Sequence, residues 1–348
     1  MQIGPHHFSG SYFLAPLAGV SDRPFRLLCR EMGAAFSYTE MVSAHGLLHG
    51  NPQTDGYLDR DPSETPFAVQ IFASEPEVLA RAGAEAVRRG ADLVDINMAC
   101  PVKKVCGTGA GAALARDPAR VEAAVRAVAA AVKVPVTVKI RAGWDANELN
   151  CVEVARAAEQ GGAAAVALHG RTRAQGYSGR ADWSRLAAVK RAVRIPVLGS
   201  GDVFSAADAL RMKRETGVDF VLVARGACGN PWIFRELRAS EEGRPAPRLT
   251  RDEWAATILR HVRMQIEHRR GQRPRELPAE AEDHAVRELR RHLLWYTRGR
   301  RGGVAFRREA TSVRTLAGVE ELVERHFPRG SPAFELDPAL ANDPAAET

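Results

Sequence analysis

Residues 93–111 read LVDINMACPVKKVCGTGAG, an apolar run that breaks after Met98 into a loop carrying Cys100, Lys103 and Lys104. A short, continuous apolar run bounded by turn residues is the pattern of a strand buried on both faces. A cysteine in such surroundings is ordinarily inert core filling. Cys100 stands apart because the strand ends just before it and two lysines follow within one turn. Cations that close favour the thiolate and help the thiol release its proton. The stretch reads as a reactive thiol held at the mouth of a barrel.

Seven more runs of this kind flank the strand at 91–98, near 11–15, 35–41, 66–72, 135–141, 163–169, 196–200 and 218–224. Between them lie segments such as PEVLARAGAEAVRRG and PARVEAAVRAVAAAV, whose apolar spacing is helical. Eight alternating strand–helix units predict an α/β fold, a (β/α)8 TIM barrel, over residues 1–240. A doubly wound open sheet is the structural alternative. After residue 238 the composition shifts to a linker, and residues 250–328 read as a small helical domain. The Pro- and Ala-rich tail 329–348 is expected to be disordered.

The five cysteines form no Cys-x-x-Cys pair, which argues against a metal site and for a reducing, cytoplasmic setting. No apolar run approaches the roughly 20 residues of a membrane helix, and the N-terminus lacks the pattern of a secretory signal. The net charge of +7 is unevenly placed: residues 285–308 carry eight arginines against one acid, Glu288. A solvated helix face is the plain explanation. Interleaving with His292, Trp295 and Tyr296 makes a polyanion such as RNA a serious candidate partner.

Barrel chemistry gathers at the C-terminal strand ends. Reading those ends gives Pro16, Leu17, Ala18 and Gly19, then Glu40 and Gln70, then Asn97 and Cys100. They continue with Lys139, Arg141, His169, Arg171, Ser200, Gly201, Asp202, Ala224, Arg225 and Gly226. Lys139, inside VTVKIR, needs a partner, because burying an unpaired ammonium is costly. A bound anion or polarised cofactor is the simplest one, and a structural ion pair is the other. The turns GSGDV and ARGACGNPW, with Arg225 beside them, suit a phosphorylated cofactor. No GxGxxG follows a first strand, so a Rossmann-type nicotinamide site is not expected. Cys106 competes with Cys100 as the reactive thiol, but it follows the loop rather than the strand end.

The stretches APLAGVSDRPFR (15–26), TEMVSA (39–44), PFAVQIFAS (66–74) and DINMACPVKKVCGTGAGAAL (95–114) together resemble the tRNA-dihydrouridine synthases. PVTVKIRAGWD (135–145), LHGRTRAQGYSG (168–179), GSGDV and ARGACGNPWIFRE extend the resemblance, most closely to the bacterial B-type group. It covers about residues 10–325, including RRHLLWY in the helical domain. The resemblance implies an FMN-dependent barrel that reduces the C5–C6 bond of a uridine in tRNA, with NADPH as electron source. It implies that Pro16, Leu17 and Ala18 line the flavin ring, and that Gln70, Lys139 and His169 contact it. Ser200, Gly201, Asp202, Ala224 and Arg225 would hold its phosphate. Cys100 would protonate C5, with Lys103 and Lys104 lowering its pKa, while Asn97, Arg141 and Arg171 face the substrate. Arg298, Arg300 and Arg301 would grip the RNA.

Two positions depart from the family pattern: Ala99 stands where Gly is usual, and Ser200 where Asn is typical. A monomer is expected, since an open basic surface needs access. Two functional rivals stay open at this point. One is a flavin-barrel reductase of small pyrimidines or enones. The other is an RNA-binding barrel that has lost its chemistry. A phosphate-binding aldolase-type barrel comes last.

Overall fold

The computed structural model describes residues 1–336, apart from the side chains of residues 52 and 53. All eight expected strands are present: β1 (Tyr12–Leu14), β2 (Phe36–Ser43), β3 (Ala68–Phe72) and β4 (Leu93–Met98). They continue with β5 (Val136–Arg141), β6 (Ala165–His169), β7 (Val197–Ser200) and β8 (Phe220–Val223). Every neighbouring pair is parallel, and β8 closes on β1 through Val221↔Tyr12 and Val223↔Leu14. That closure makes the sheet a barrel and removes the open-sheet alternative. Helices begin where a side chain can satisfy their free N–H groups. Asp22 accepts from the N–H of Phe25, Asp117 from that of Ala119, and Ser205 with Asp208 forms a reciprocal cap.

The two-residue period of the strands sorts side chains into two sets. On β4, Val94, Ile96 and Met98 pack outward against the helices. Leu93, Asp95 and Asn97 alternate with them. The lower interior is apolar, built from Phe13, Phe36, Tyr38, Phe220 and small residues such as Ala68 and Ala165. A hairpin that the sequence reading missed, Gln2–Ile3 with His6–His7, lies at this end. It leads into Phe8, whose ring meets Phe13 at 4.9 Å and Phe36 at 5.0 Å. Its strands are two residues long, too short to show any periodicity.

Four helices follow the barrel: Arg251–Gln272, Pro278–Tyr296, Gly303–Ala310 and Leu316–His326. Thr250 caps the first, accepting from the N–H of Glu253. Trp254, Ile258, Val262 and Ile266 recur at the i, i+4 spacing of one helix face and are buried. They share a single apolar core with Leu289, Leu293, Phe306 and Phe327, and also with Leu28 and Trp232 from the barrel side. At the seam, a Cβ on Gly229 (φ +74°) would lie 2.3 Å from the Trp295 carbonyl oxygen. Only glycine permits that approach.

The tail expected to be disordered begins with a short 3-10 turn, Pro332–Phe334. The Phe334 ring lies 5.6 Å from that of Trp254. The remainder of the tail reading, residues 337–348, lies outside the described residues.

Candidate active site

Strand register brings the polar interior residues side by side. Gln70 is opposite Asp95, Asp95 opposite Thr137, Asn97 opposite Lys139, and Arg141 opposite His169. A relay of hydrogen bonds crosses this layer. Thr137 Oγ1 and Gln70 Nε2 each donate to the Asp95 carboxylate at 2.6 Å. Asn97 Nδ2 donates to Gln70 Oε1 at 2.8 Å. Asn97 Oδ1 then accepts from the backbone N–H of Ala99 at 3.0 Å and of Cys100 at 2.9 Å. The loop that follows β4 is therefore shaped by Asn97. Both Oδ1 bonds go to the chain's own backbone, so Asn97 is first a holder of the cysteine loop.

Cys100 is buried, and burial raises its thiol pKa, outweighing the Val102 N–H and the Arg141 and Lys139 charges that lower it. This corrects the expectation that Lys103 and Lys104 pull the thiol down. Those two lysines sit exposed in the short helix Lys103–Cys106, and the cations that act on the thiol come from β5. The thiol is thus the protonated form at neutral pH. Cys106 is turned back on the same loop, its Sγ donating to the Cys100 carbonyl at 3.3 Å.

Lys139 makes no hydrogen bond or ion pair within 4 Å among the described residues. Burial and the Arg141 charge bring its ammonium down to about 8. His169 is buried and surrounded by Lys139, Arg141, Arg171 and Arg225; burial first, then these charges, hold its imidazole well below the usual value. It is therefore neutral at pH 7. Tyr177 lies between His169, at 6.3 Å between ring centroids, and Arg225, whose guanidinium stacks at 4.6 Å.

Two expected substrate arginines are committed elsewhere. Arg141 donates to the carbonyls of Ala99, Thr172 and Gly176, tying the cysteine loop to the loop after β6. Arg171 donates to the carbonyls of Ser178 and Gly179 and pairs with Asp202 at 2.7 Å. Both act as loop clasps rather than as free cations facing substrate. The Asp202 carboxylate likewise accepts from Arg171 and from the N–H of Ala181, and lies 3.6 Å from Arg225. That leaves its backbone, at φ +55°, as the part turned to other use. Ser200 is buried at the end of β7, Gly201 carries φ +119°, and Ala224 and Arg225 open a 3-10 turn. The N–H groups of Gly201 and Asp202 join no internal hydrogen bond among the described residues. Pro16 and Leu17 are partly exposed at the rim and Ala18 is exposed.

The arginine run divides in the same way. Arg300 is buried, its guanidinium 4.0 Å from the Phe334 ring and 5.3 Å from Trp254, with a bond to the Phe334 carbonyl. This corrects its expected place on an open surface, because the guanidinium is stacked on two rings and bound to a tail carbonyl rather than presented to solvent. Arg298 is half-buried, and Arg301 is exposed with Glu335 3.9 Å away. Arg291 is exposed and reaches across the seam, its Nη1 3.7 Å from where a Cβ of Gly19 would stand. There the Glu40 carboxyl accepts the Gly19 N–H, and burial pushes it up to about 7. A cavity of about 830 Å³ opens at this rim, lined by Gly19, Glu40, Asp59, His268 and Arg291.

Sequence reasoning missed Asp95, Thr137 and Tyr177. For Asp95 the signal was present: a carboxylate inside an apolar strand needs a partner as much as Lys139 does. Among the described residues no group of acidic, histidine or cysteine side chains is arranged to hold a metal, and no helix is long and apolar enough to cross a membrane.

A thiol at the C-terminal rim, on a loop pinned by buried polar groups and ringed by cations, marks a (β/α)8-barrel enzyme with its chemistry at the strand ends. Comparison narrows this class. The dihydrouridine synthase family model matches residues 13–330, and the chain belongs to that family. It is 42% identical to "tRNA-dihydrouridine synthase B" of Pseudomonas aeruginosa, over 88% of this chain and 90% of that one. It is 40% identical to "Probable tRNA-dihydrouridine synthase 1" of Synechocystis sp., over 93% and 88% of the two chains. In structure it resembles histamine dehydrogenase from a Rhizobium species, with TM-score 0.52 and 15% identity. It also resembles an amine oxidase from Pseudomonas geniculata, with TM-score 0.55 and 14% identity. These matches cover 76% and 75% of this chain and about half of the other two, at 50% and 52%; they bear on the fold alone.

Proposed function

We propose that this enzyme reduces the C5–C6 double bond of uridines in tRNA to 5,6-dihydrouridine, with FMN as resident cofactor and NADPH as reductant. The observation that carries the reading is the Cys100 thiol, kept protonated by burial on a loop that Asn97 pins one strand from Lys139. A phosphorylated flavin suits the residues present. Four cations converge on neutral His169, and among the described residues Lys139 has no ion pair and the Gly201 and Asp202 N–H groups have no internal acceptor. Pro16, Leu17 and Ala18 would line its ring, Gln70, Lys139 and His169 would hold its polar edge, and Ser200–Asp202 with Ala224–Arg225 would hold its phosphate. When bound, FMN supplies the hydride, from N5 to uracil C6.

The protein's own chemistry is the proton. Cys100 is the general acid to C5, and a thiol raised above its usual pKa arrives at the reaction carrying that proton. Arg141 and Lys139 stabilise the thiolate left behind. The second Asn97 N–H rests only on the Met41 thioether at 3.7 Å, a weak acceptor that the uracil edge would displace. The target base must leave its stack to reach this depth. Arg291, Arg301 and Arg308, exposed on the helical region, would hold the RNA backbone, with Arg298 beside them. The free cysteines agree with a reducing, cytoplasmic setting, where the protein would act on tRNA as a monomer.

The decisive test is the visible spectrum of the purified protein. The reading expects a flavin spectrum that NADPH bleaches and unmodified tRNA restores, and no restoration by tRNA in Cys100→Ala. A protein that binds tRNA but cannot be loaded with FMN would overturn it.

A further inference from the structure

We infer that Asp95 is a positioning residue: as the acceptor-only end of the buried relay, it fixes the orientation of Gln70 and Asn97 and so the place of Cys100. The inference rests on the role just given to Cys100. An ionised carboxylate can only accept hydrogen bonds, and a backbone N–H can only donate. The relay runs between these two fixed ends. Because Asp95 accepts, Gln70 must turn its NH2 toward it and present Oε1 to Asn97. Asn97 must then spend an N–H on Gln70, which leaves Oδ1 for the N–H groups of Ala99 and Cys100.

Each amide side chain could otherwise sit in either of two flipped orientations. An acceptor at one end and two donors at the other leave one consistent arrangement for both. Gln70, Asp95 and Thr137 are each no more than 2% exposed, so water cannot substitute for a lost partner. Thr137 fills the second carboxylate oxygen. None of these atoms needs to touch the reacting base, and Asp95 lies one alternation below Asn97 on β4. Its influence on the thiol passes through two side chains and one turn of backbone.

The test exchanges the charge between two neighbours. In Gln70→Glu, two buried carboxylates face each other, and a donor between positions 70 and 95 remains only where the pair takes up a proton. Burial already pushes Asp95 up to about 6, so each measurement is made at alkaline pH as well as at pH 7. Adding Asp95→Asn restores one: Asn at 95 donates to Glu at 70, accepts from Thr137, and Glu at 70 still accepts from Asn97. Charge and bond count match the native pair. Two readouts are taken: hydrogen exchange of the Ala99 and Cys100 amides in flavin-free protein, and single-turnover reduction of tRNA with saturating FMN.

Gln70→Glu is expected to speed exchange at both amides and slow turnover at least tenfold. The double variant should return amide exchange to within about threefold of native and recover only part of the lost turnover, because position 70 also stands at the proposed flavin edge. A double variant no better than Gln70→Glu, or one that fails to fold, overturns the inference, as does Asp95→Ala with native exchange and native turnover. If Cys100→Ala turns over at the native rate, the general-acid reading is what falls. The exchange data still decide the role of Asp95 in that case.

Discussion

The two ends of the barrel are built by the same strands with the same alternation, yet they are filled by opposite chemistry. At the lower end Phe8, Phe13, Phe36 and Phe220 meet ring to ring, with Phe13 and Phe220 stacked at 4.6 Å. At the upper end the interior positions hold Gln70, Asp95, Asn97, Thr137, Lys139 and His169. Apolar burial stabilises the lower end in proportion to area and needs no orientation. The upper end gains little net stability, because its hydrogen bonds mainly offset the desolvation of the groups that make them. What it gains is geometry. The comparison teaches that the lower half holds the barrel shut while the upper half spends its interior on holding one thiol and one ammonium in place.

The division can be broken most severely at the thiol. Cys100→Ala should lower single-turnover reduction of tRNA by about 10²–10⁴-fold, the range for a lost general acid, with the melting temperature nearly unchanged. The mirror experiment is Phe220→Ala, which should cost about 3–5 kcal/mol in urea unfolding while the folded fraction turns over normally. Equal damage to stability and turnover from either variant would erase the distinction.

A smaller effect concerns Lys139. Its ammonium is charged below about 8 and loses its proton above it. A bound phosphoflavin favours the charged form, so FMN affinity of the flavin-free protein should be full below that pH. It should weaken as pH rises through it, by up to about tenfold per unit. Lys139→Met should bind FMN weakly with a flat profile, and a steep profile in that variant would assign the proton elsewhere.

The smallest effects separate the arginines. Arg291→Ala should weaken tRNA binding a few-fold and reduce the salt slope by about one. Arg300→Ala should leave the slope alone and lower the melting temperature, since its guanidinium packs on Phe334 and Trp254.

The fold was legible because eight buried strands leave eight apolar runs, and a parallel sheet keeps those runs continuous. Cys100, Asn97, Lys139 and His169 were legible because strand ends are where a barrel keeps its polar chemistry. What escaped was whatever depends on partners distant in sequence. Arg141 and Arg171 look like free cations until the carbonyls of other loops are placed around them. Arg300 is indistinguishable from its neighbours in the run until the Phe334 ring folds back from 34 residues away. The sign of the Cys100 shift was misjudged for a related reason: sequence shows nearby lysines but not depth, and depth governs.

Gly229 has a consequence for choice of target. With its backbone pressed against the Trp295 carbonyl and one apolar core spanning the seam, the helical region and the barrel rim sit like the two arms of a caliper. One jaw is the arginine-bearing face and the other is the thiol at the mouth. A caliper selects by span, so the uridine it reduces would be defined by how far it lies from the gripped stretch of RNA backbone. The letters on either side would matter little.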